Sequence, residues 1–401
     1  MTAAEFRAGF GFFQQRPDWV YLDNAATSHK PDAVIEAISQ FYRCHNANVH
    51  RSGHQIADEA TTLFEQARST VLQFLGAGAE HQLIWTSGAT EALNLLAAGL
   101  TDSFLQAGDR VLLTVLEHHA NIVPWQFYAE RRGIILDVVP LDAVYRLDLN
   151  AYQQLLAKGP KIVSFCHASN GLGHVNPVRD MVKLAKAAGA LTIVDGSQGV
   201  TMGPPDVKGL GCDFYLFSGH KLYGPTGIGA LCGKLEALDL LQPLRYGGEM
   251  IKQVSFRGTT LNDLPYRLEA GTPHIAGAIG IAAAINFLQQ FEPQNLAAHK
   301  QQLLQQLWLG CKAINGIRLL SQVQDNCGII SLVLPGEHPS DLATLLNQYQ
   351  IAVRAGTHCA MPLFADLQLP GAVRFSIAPY NTADEIKRTL VALASAVEMF
   401  A

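Results

Sequence analysis

An α/β fold is predicted, with a large domain built on a mostly parallel sheet and a smaller α+β domain at the C-terminal end. Three observations predict it. From Tyr21 onward short apolar runs alternate with longer segments of helical periodicity, which is how a parallel sheet covered by its crossover helices reads. Beyond residue 285 the pattern changes to long helices and few strands. Finally, 401 residues, 49% of them apolar, suffice for one large core and a smaller one without disulfides or a structural metal.

In chain order the strand-like runs of the large domain are QLIWT, RVLLTVLE, IILDVVPL, KIVSFCH, LTIVD, DFYLFS and GIGALCG, with AVIEAISQFY and MVKLAKAAG among the helical segments. The stretch IAGAIGIAAAINFL from Ile275 is shorter than the roughly 18 residues a membrane span needs. Its small residues suit close packing, so it reads as a buried helix. After the polar stretch EPQNLAAHKQQ come the strands GIISLVLP, IAVRAG and AVRFSIAP. The boundary falls near residue 285, giving domains 20–285 and 286–401. No internal repeat or low-complexity tract is present.

Net charge is −5, and no run of lysine and arginine is long enough for a nucleic-acid groove or a membrane-binding face. The seven cysteines, at positions 44, 166, 212, 232, 311, 327 and 359, are odd in number, scattered and without a CxxC pair. That pattern fits reduced thiols better than a disulfide framework or a zinc site. The N-terminus MTAAEFRAGFGFF has no apolar h-region with a small-residue cleavage site, so a cytoplasmic location is expected.

The most informative stretch runs from Leu191 to Gly229. Asp195 ends LTIVD, placing a carboxylate at the C-terminal end of a buried strand, where ligands collect in open α/β sheets. Lys221 follows DFYLFSGH, so two strand ends present a carboxylate and an amine together. Those are the demands of pyridoxal phosphate: a lysine tether, a carboxylate on the pyridinium nitrogen, and donors for the phosphate. Alone, Asp195 is a loop or cap residue and Lys221 a solvated charge. Together with Gln198, the Ser218-Gly219-His220-Lys221 cluster and the glycines of YGPTGIGAL, the site reading outweighs the bland one.

A phosphate cradle is expected at Thr86 to Asn94, where Ser87, Gly88, Ala89 and Thr90 lead from a strand into a helix. An ordinary turn capped by Thr90 is the competing reading of that segment. Neither His118 with His119 nor the i, i+4 pair His50 and His54 has a third ligand in view, so no metal site is expected.

This combination resembles the fold-type I pyridoxal phosphate enzymes, aminotransferase class V-like, and within them the group II cysteine desulfurases that include SufS and CsdA. YLDNAATSHKP is similar to that family's opening signature, EHHANIVPW to its ring-stacking segment, and RAGTHCAMP to the loop carrying its catalytic cysteine. The resemblance implies catalytic roles for Lys221, Cys359 and His118, the last stacking on the cofactor ring and placed for proton transfer, with His119 structural. It implies cofactor contacts from Asp195, Gln198, Ser218, His220, Ala89, Thr90 and Asn170. Thr272 is implied as a ligand from a neighbouring subunit, hence a homodimer, and residues 1–19 are implied to pack on the C-terminal domain.

Gly171 follows Asn170 where a larger apolar residue is expected, a departure from the family pattern that puts the reach of Asn170 in question. Arg374 and Arg354 compete for the substrate carboxylate, because arginine pairs with it in bidentate fashion. Arg374 is favoured, and Arg354 has the alternative of orienting the Cys359 loop. His50 and Arg51 are expected at the mouth of the site.

The implied activity converts L-cysteine to L-alanine. With the substrate amine on the cofactor, Lys221 is free to remove the α-proton while the pyridinium held by Asp195 takes up the electron pair. The Cys359 thiolate then attacks the substrate sulfur and keeps it as a persulfide, which passes to an acceptor protein of the SufE or CsdE type. Because a free cysteine has a pKa of about 8.5, its loop should be exposed and near positive charge, and Arg354 and His358 are at hand. Selenocysteine lyase, acting on L-selenocysteine, is the alternative reading. A non-catalytic sensor, an aminotransferase or a kynureninase leaves the cysteine loop unexplained.

Overall fold

In a computed structural model, which describes residues 2–51 and 53–400, the seven apolar runs form one seven-stranded sheet. Its strands are β1 (His81–Thr86), β2 (Arg110–Thr114), β3 (Ile135–Val139), β4 (Ile162–Cys166), β5 (Leu191–Asp195), β6 (Phe214–Ser218) and β7 (Gly229–Lys234). They lie in the order β1-β7-β6-β5-β4-β2-β3. Strands β2 to β6 are parallel, and β7 runs antiparallel to both of its neighbours.

Side chains alternate across this sheet. On β6, Phe214 and Leu216 enter one core while Tyr215 and Phe217 enter the other. The first core is closed by α1 (Ala89–Ser103) through Leu93, Leu96 and Leu100. The second is closed by the helix Gln55–Phe74 and by α2 (Ile275–Leu288) through Phe64, Ile281 and Ile285. Each such side chain contributes about 1.5–3 kcal/mol on burial. Helix α2 is apolar all round and is buried accordingly. No single helix among the described residues is long and apolar enough to cross a membrane.

Helix α3 (Pro293–Ala313) leaves α2 at 84° and leads to a second sheet. This sheet holds β8 (Arg318–Leu319), β9 (Ile329–Val333), β10 (Arg354–Gly356) and β11 (Ala372–Ser376), antiparallel in the order β8-β9-β11-β10. Leu332, Val373 and Phe375 pack there on Leu303 and Leu307 of α3. The run IAVRAG divides: Ile351–Ala352 pairs with Val20–Tyr21, and only Arg354–Gly356 joins the sheet.

The first residues do not pack on the C-terminal part alone. Phe6 and Phe10 lie among Tyr223, Phe287 and Tyr380, a wedge touching both halves, and Arg7 pairs with Glu385 at 2.8 Å. Aromatic rings in such clusters add about 0.5–1.5 kcal/mol per pair beyond their burial, which explains why this short segment is ordered against the seam.

Candidate active site

Because β2, β4, β5 and β6 are parallel, their carboxyl ends share one edge of the sheet. Asp195 ends β5, buried, its Oδ1 accepting from the Ser197 backbone at 2.9 Å. Beside it β6 runs into a single 3₁₀ turn, Gly219–Lys221. Lys221 makes no side-chain hydrogen bond among the described residues; burial pushes its pKa down, against the opposing pull of the Asp195 carboxylate.

The segment Ser28 to Lys30 grips this turn from both sides of Lys221. The His220 carbonyl accepts from Ser28 N at 3.1 Å and from Lys30 Nζ at 3.0 Å, and Ser28 Oγ accepts from Tyr223 N at 3.0 Å. Sequence reasoning missed Ser28 and Lys30 as site residues; their place inside YLDNAATSHKP was the available signal. Gln198 is buried and donates from Nε2 to the Ala25 carbonyl at 2.9 Å. His220 itself is half-buried, with its pKa pushed down to about 4 by burial and by Lys221.

At the other end of the cleft the backbone of Ala89, the first residue of α1, donates to Ser218 Oγ at 2.8 Å. The cap is Gly88, at φ 150°, where a Cβ would sit 3.2 Å from Ser218 Oγ and where L side chains are strained. Thr90 is therefore not the cap; it is exposed in the first turn. With no side-chain cap, the helix presents free N–H groups and a positive dipole end, the environment an anion requires. Thr272 is exposed in a cleft that it shares with Ser87, Glu91 and Arg245 of the same chain.

Glu117, unnoticed in the sequence, is fully buried just before His118. Its carboxyl accepts from Cys166 N at 3.1 Å and from Asn121 Nδ2 at 2.7 Å, and Asn121 in turn accepts from Ser164 Oγ at 2.6 Å. Burial pushes its pKa from the ordinary 4.5 up to about 7. A raised folded-state value means that the associated stability is complete below pH 4.5 and is lost as pH rises through about 7. At about 1.4 kcal/mol per pH unit this amounts to about 3 kcal/mol. Thermal unfolding of the wild type should accordingly weaken across that interval relative to Glu117→Gln; parallel pH profiles for the two would refute the assignment.

His118 caps the next turn, its Nδ1 accepting from Ala120 N at 3.1 Å, so the ring proton sits on Nε2. Burial, reinforced by Lys221, lowers its pKa to about 4, and the imidazole is neutral at pH 7.

Cys359 lies in the loop between β10 and the helix Met361–Asp366, half-buried, with His358 and Cys359 both at left-handed φ, 52° and 58°. Two consecutive non-glycine residues in that region are held only by surrounding contacts. His119 supplies two: its N–H donates to the Cys359 carbonyl at 2.7 Å, and its Nε2 accepts from Met361 N at 2.8 Å. Asn170 adds a third, donating to the His358 carbonyl at 2.6 Å. Arg354 Nη2 lies 3.7 Å from Cys359 Sγ. His358 does not supply the expected charge: its ring is buried against Phe364, its nitrogens have no side-chain hydrogen-bond partner among the described residues, and burial drives its pKa down to about 3.

Gly171 is explained by the same loop. A Cβ there would lie 2.9 Å from Leu363 Cδ2, so glycine lets the helix after Cys359 close onto Asn170.

Arg374, in the middle of β11, is buried; it donates from Nη1 to the Asn170 carbonyl at 2.9 Å and from Nη2 to Asp23 Oδ1 at 3.0 Å, while Nε has no partner among the described residues. Burial raises the Asp23 pKa, and the guanidinium offsets this. Arg374→Ala leaves that carboxylate unpaired and should cost about 3–5 kcal/mol of stability, read by urea denaturation; a loss below 1 kcal/mol would show that the pair is not structural.

His50 and Arg51 make no hydrogen bond or ion pair with the Lys221 cluster among the described residues. His50 bridges Glu65 at 3.0 Å and Glu249 at 3.1 Å, and Arg51 pairs with Glu249 at 2.9 Å. His54 instead caps the helix Gln55–Phe74, so the i, i+4 spacing is not one helix face. No cluster of metal-ligating side chains occurs among the described residues.

The donor set fits pyridoxal phosphate: a buried amine without a hydrogen-bond partner, a carboxylate one strand away, a neutral imidazole, and an uncapped helix N-terminus with Ser218 against it. The aminotransferase class-V family model matches residues 20–389. The chain is 47% identical to a probable cysteine desulfurase of Vibrio cholerae over 380 residues, 95% of this chain and 94% of that one. It is 43% identical to a cysteine desulfurase of Yersinia pestis, over 93% of this chain and 92% of the other. Its fold superposes on the cysteine desulfurase CsdA of Escherichia coli with a TM-score of 0.92 at 39% identity, covering 100% of this chain and 99% of that one. The apo cysteine desulfurase of Thermococcus onnurineus NA1 gives 0.94 at 35% identity, over 98% of each. The chain belongs to the aminotransferase class-V family and, within it, to the pyridoxal phosphate-dependent cysteine desulfurases.

Proposed function

We propose that the sulfur of L-cysteine is carried away as a persulfide on Cys359. The supporting observation is the cysteine loop itself, strained, pinned by His119 and Asn170, and with a guanidinium 3.7 Å from the thiol sulfur. Pyridoxal phosphate, held by Lys221, Asp195, Gln198, Ser218, His220 and the Ala89–Thr90 helix start, supplies an electron sink for the substrate α-carbon.

The chain's own residues do the rest. Lys221, its pKa lowered by burial, accepts the α-proton at Nζ. His118, neutral and with Nδ1 taken by Ala120 N, keeps its Nε2–H free to donate, and would stack on the cofactor ring and move a proton near the substrate thiol. Arg374, through Nε, and Asn170 hold the substrate carboxylate. Arg354 stabilises the Cys359 thiolate, which attacks the substrate sulfur; an S–S bond forms, the substrate C–S bond breaks, and its electron pair stays on carbon to be protonated to alanine. Thr272 comes from a second copy in a homodimer, and the persulfide passes to an acceptor protein of the SufE or CsdE type.

This reading predicts a burst. Without reductant, L-cysteine should give alanine equal to the number of sites and then almost stop, and a reducing thiol should restore steady turnover with matching sulfide. Steady alanine and sulfide release with no reductant or acceptor would contradict it.

A further inference from the structure

Next to the active site the chain forms a half-open cavity of about 420 Å³, within the size range of small-molecule sites. Its walls are largely apolar, including Val200, Met202, Leu288, Leu296 and Leu304. One charged side chain is buried in the wall: Lys300 of α3, only 8% exposed. Its Nζ has a single long contact, to the Thr201 carbonyl at 3.4 Å, and pairs with no carboxylate among the described residues. The position is built into the fold, since a Cβ at Gly328 would lie 2.7 Å from Lys300 Cε.

A buried ammonium without a counter-ion is costly. Burial pushes the Lys300 pKa down, and the neighbouring Cys327 thiol, raised to about 11 by burial, offers no counter-charge. We propose that this cavity is a binding site for a small organic anion with an apolar body, its carboxylate pairing with Lys300 and its hydrocarbon part lying along α2 and α3. The site is separate from the substrate site but adjoins it: Lys300, Thr201 and Tyr223 also wall the small cavity that contains Lys221 and Gln198.

The test is calorimetric titration of the cofactor-loaded enzyme with sodium octanoate and, separately, with neutral octanamide. Octanoate should bind saturably and at least about tenfold tighter than octanamide, the worth of one charged hydrogen bond. Lys300→Met should erase that preference, and Ala297→Phe, which puts a ring at an exposed lining position one turn before Lys300 while keeping the ammonium, should abolish binding of both. Should Lys300→Met fail to fold, the octanoate to octanamide ratio and Ala297→Phe decide alone. Absence of saturable octanoate binding, equal affinity for the amide in the wild type, unchanged octanoate binding in Ala297→Phe, or a preference that survives in folded Lys300→Met would each overturn the proposal.

Discussion

Cys359→Ala is expected to lower alanine production from L-cysteine by a factor on the order of 10³ or more, the scale at which loss of a nucleophile acts, while substrate still binds. The side chain is half-buried and its backbone, not its sulfur, carries the loop contacts to His119, so alanine leaves the loop geometry in place. Stability and the absorbance of the bound cofactor should therefore match the wild type. Activity on L-selenocysteine, whose carbon–chalcogen bond is weaker, should fall far less. Parallel loss of both activities with normal cofactor binding would mean that Cys359 shapes the site rather than attacks the sulfur.

Lys221→Ala should be as severe. The proton transfer alone is worth roughly 10²–10⁴-fold, and the covalent hold on the cofactor is lost as well. The fold should tolerate the change. Lys221 makes no side-chain hydrogen bond among the described residues, and the turn that carries it is held through the His220 carbonyl and Tyr223 N–H by Ser28 and Lys30. Removing a buried amine whose charge burial disfavours relieves the desolvation cost. The expected signature is a protein that melts with the cofactor-free wild type, in which dialysis removes the cofactor and added alkylamines recover part of the activity. Turnover within tenfold of the wild type would assign the proton transfer to another base.

How much of this was legible in the sequence depends on the range of the interactions. The strands were legible because each is a continuous apolar run, and Asp195 and Lys221 because both follow such runs directly. The antiparallel direction of β7 was not, since GIGALCG carries the same apolar signal in either direction. His119 fastens the cysteine loop across 242 residues of chain, a distance no local pattern encodes. His358 stands beside Cys359 in sequence, yet packing against Phe364 buries it and keeps its pKa low. Glu117 owes its raised pKa to complete burial, which its donors on β4 and Asn121 only partly offset, and Gly171 is needed only because Leu363 arrives from the far end of the chain. His50 and Arg51 pair with Glu65 and Glu249, partners distant in sequence that no local pattern announces.

The account turns on where the substrate sulfur goes. The most direct measurement is peptide mass spectrometry of the cofactor-loaded enzyme after reaction with L-cysteine in the absence of reductant. The peptide carrying Cys359 should gain the mass of one sulfur atom, the peptides of the buried cysteines 166, 212, 232, 311 and 327 should gain none, and a reducing thiol should remove the addition. Alanine formed in stoichiometric amount while Cys359 stays unmodified would contradict the account.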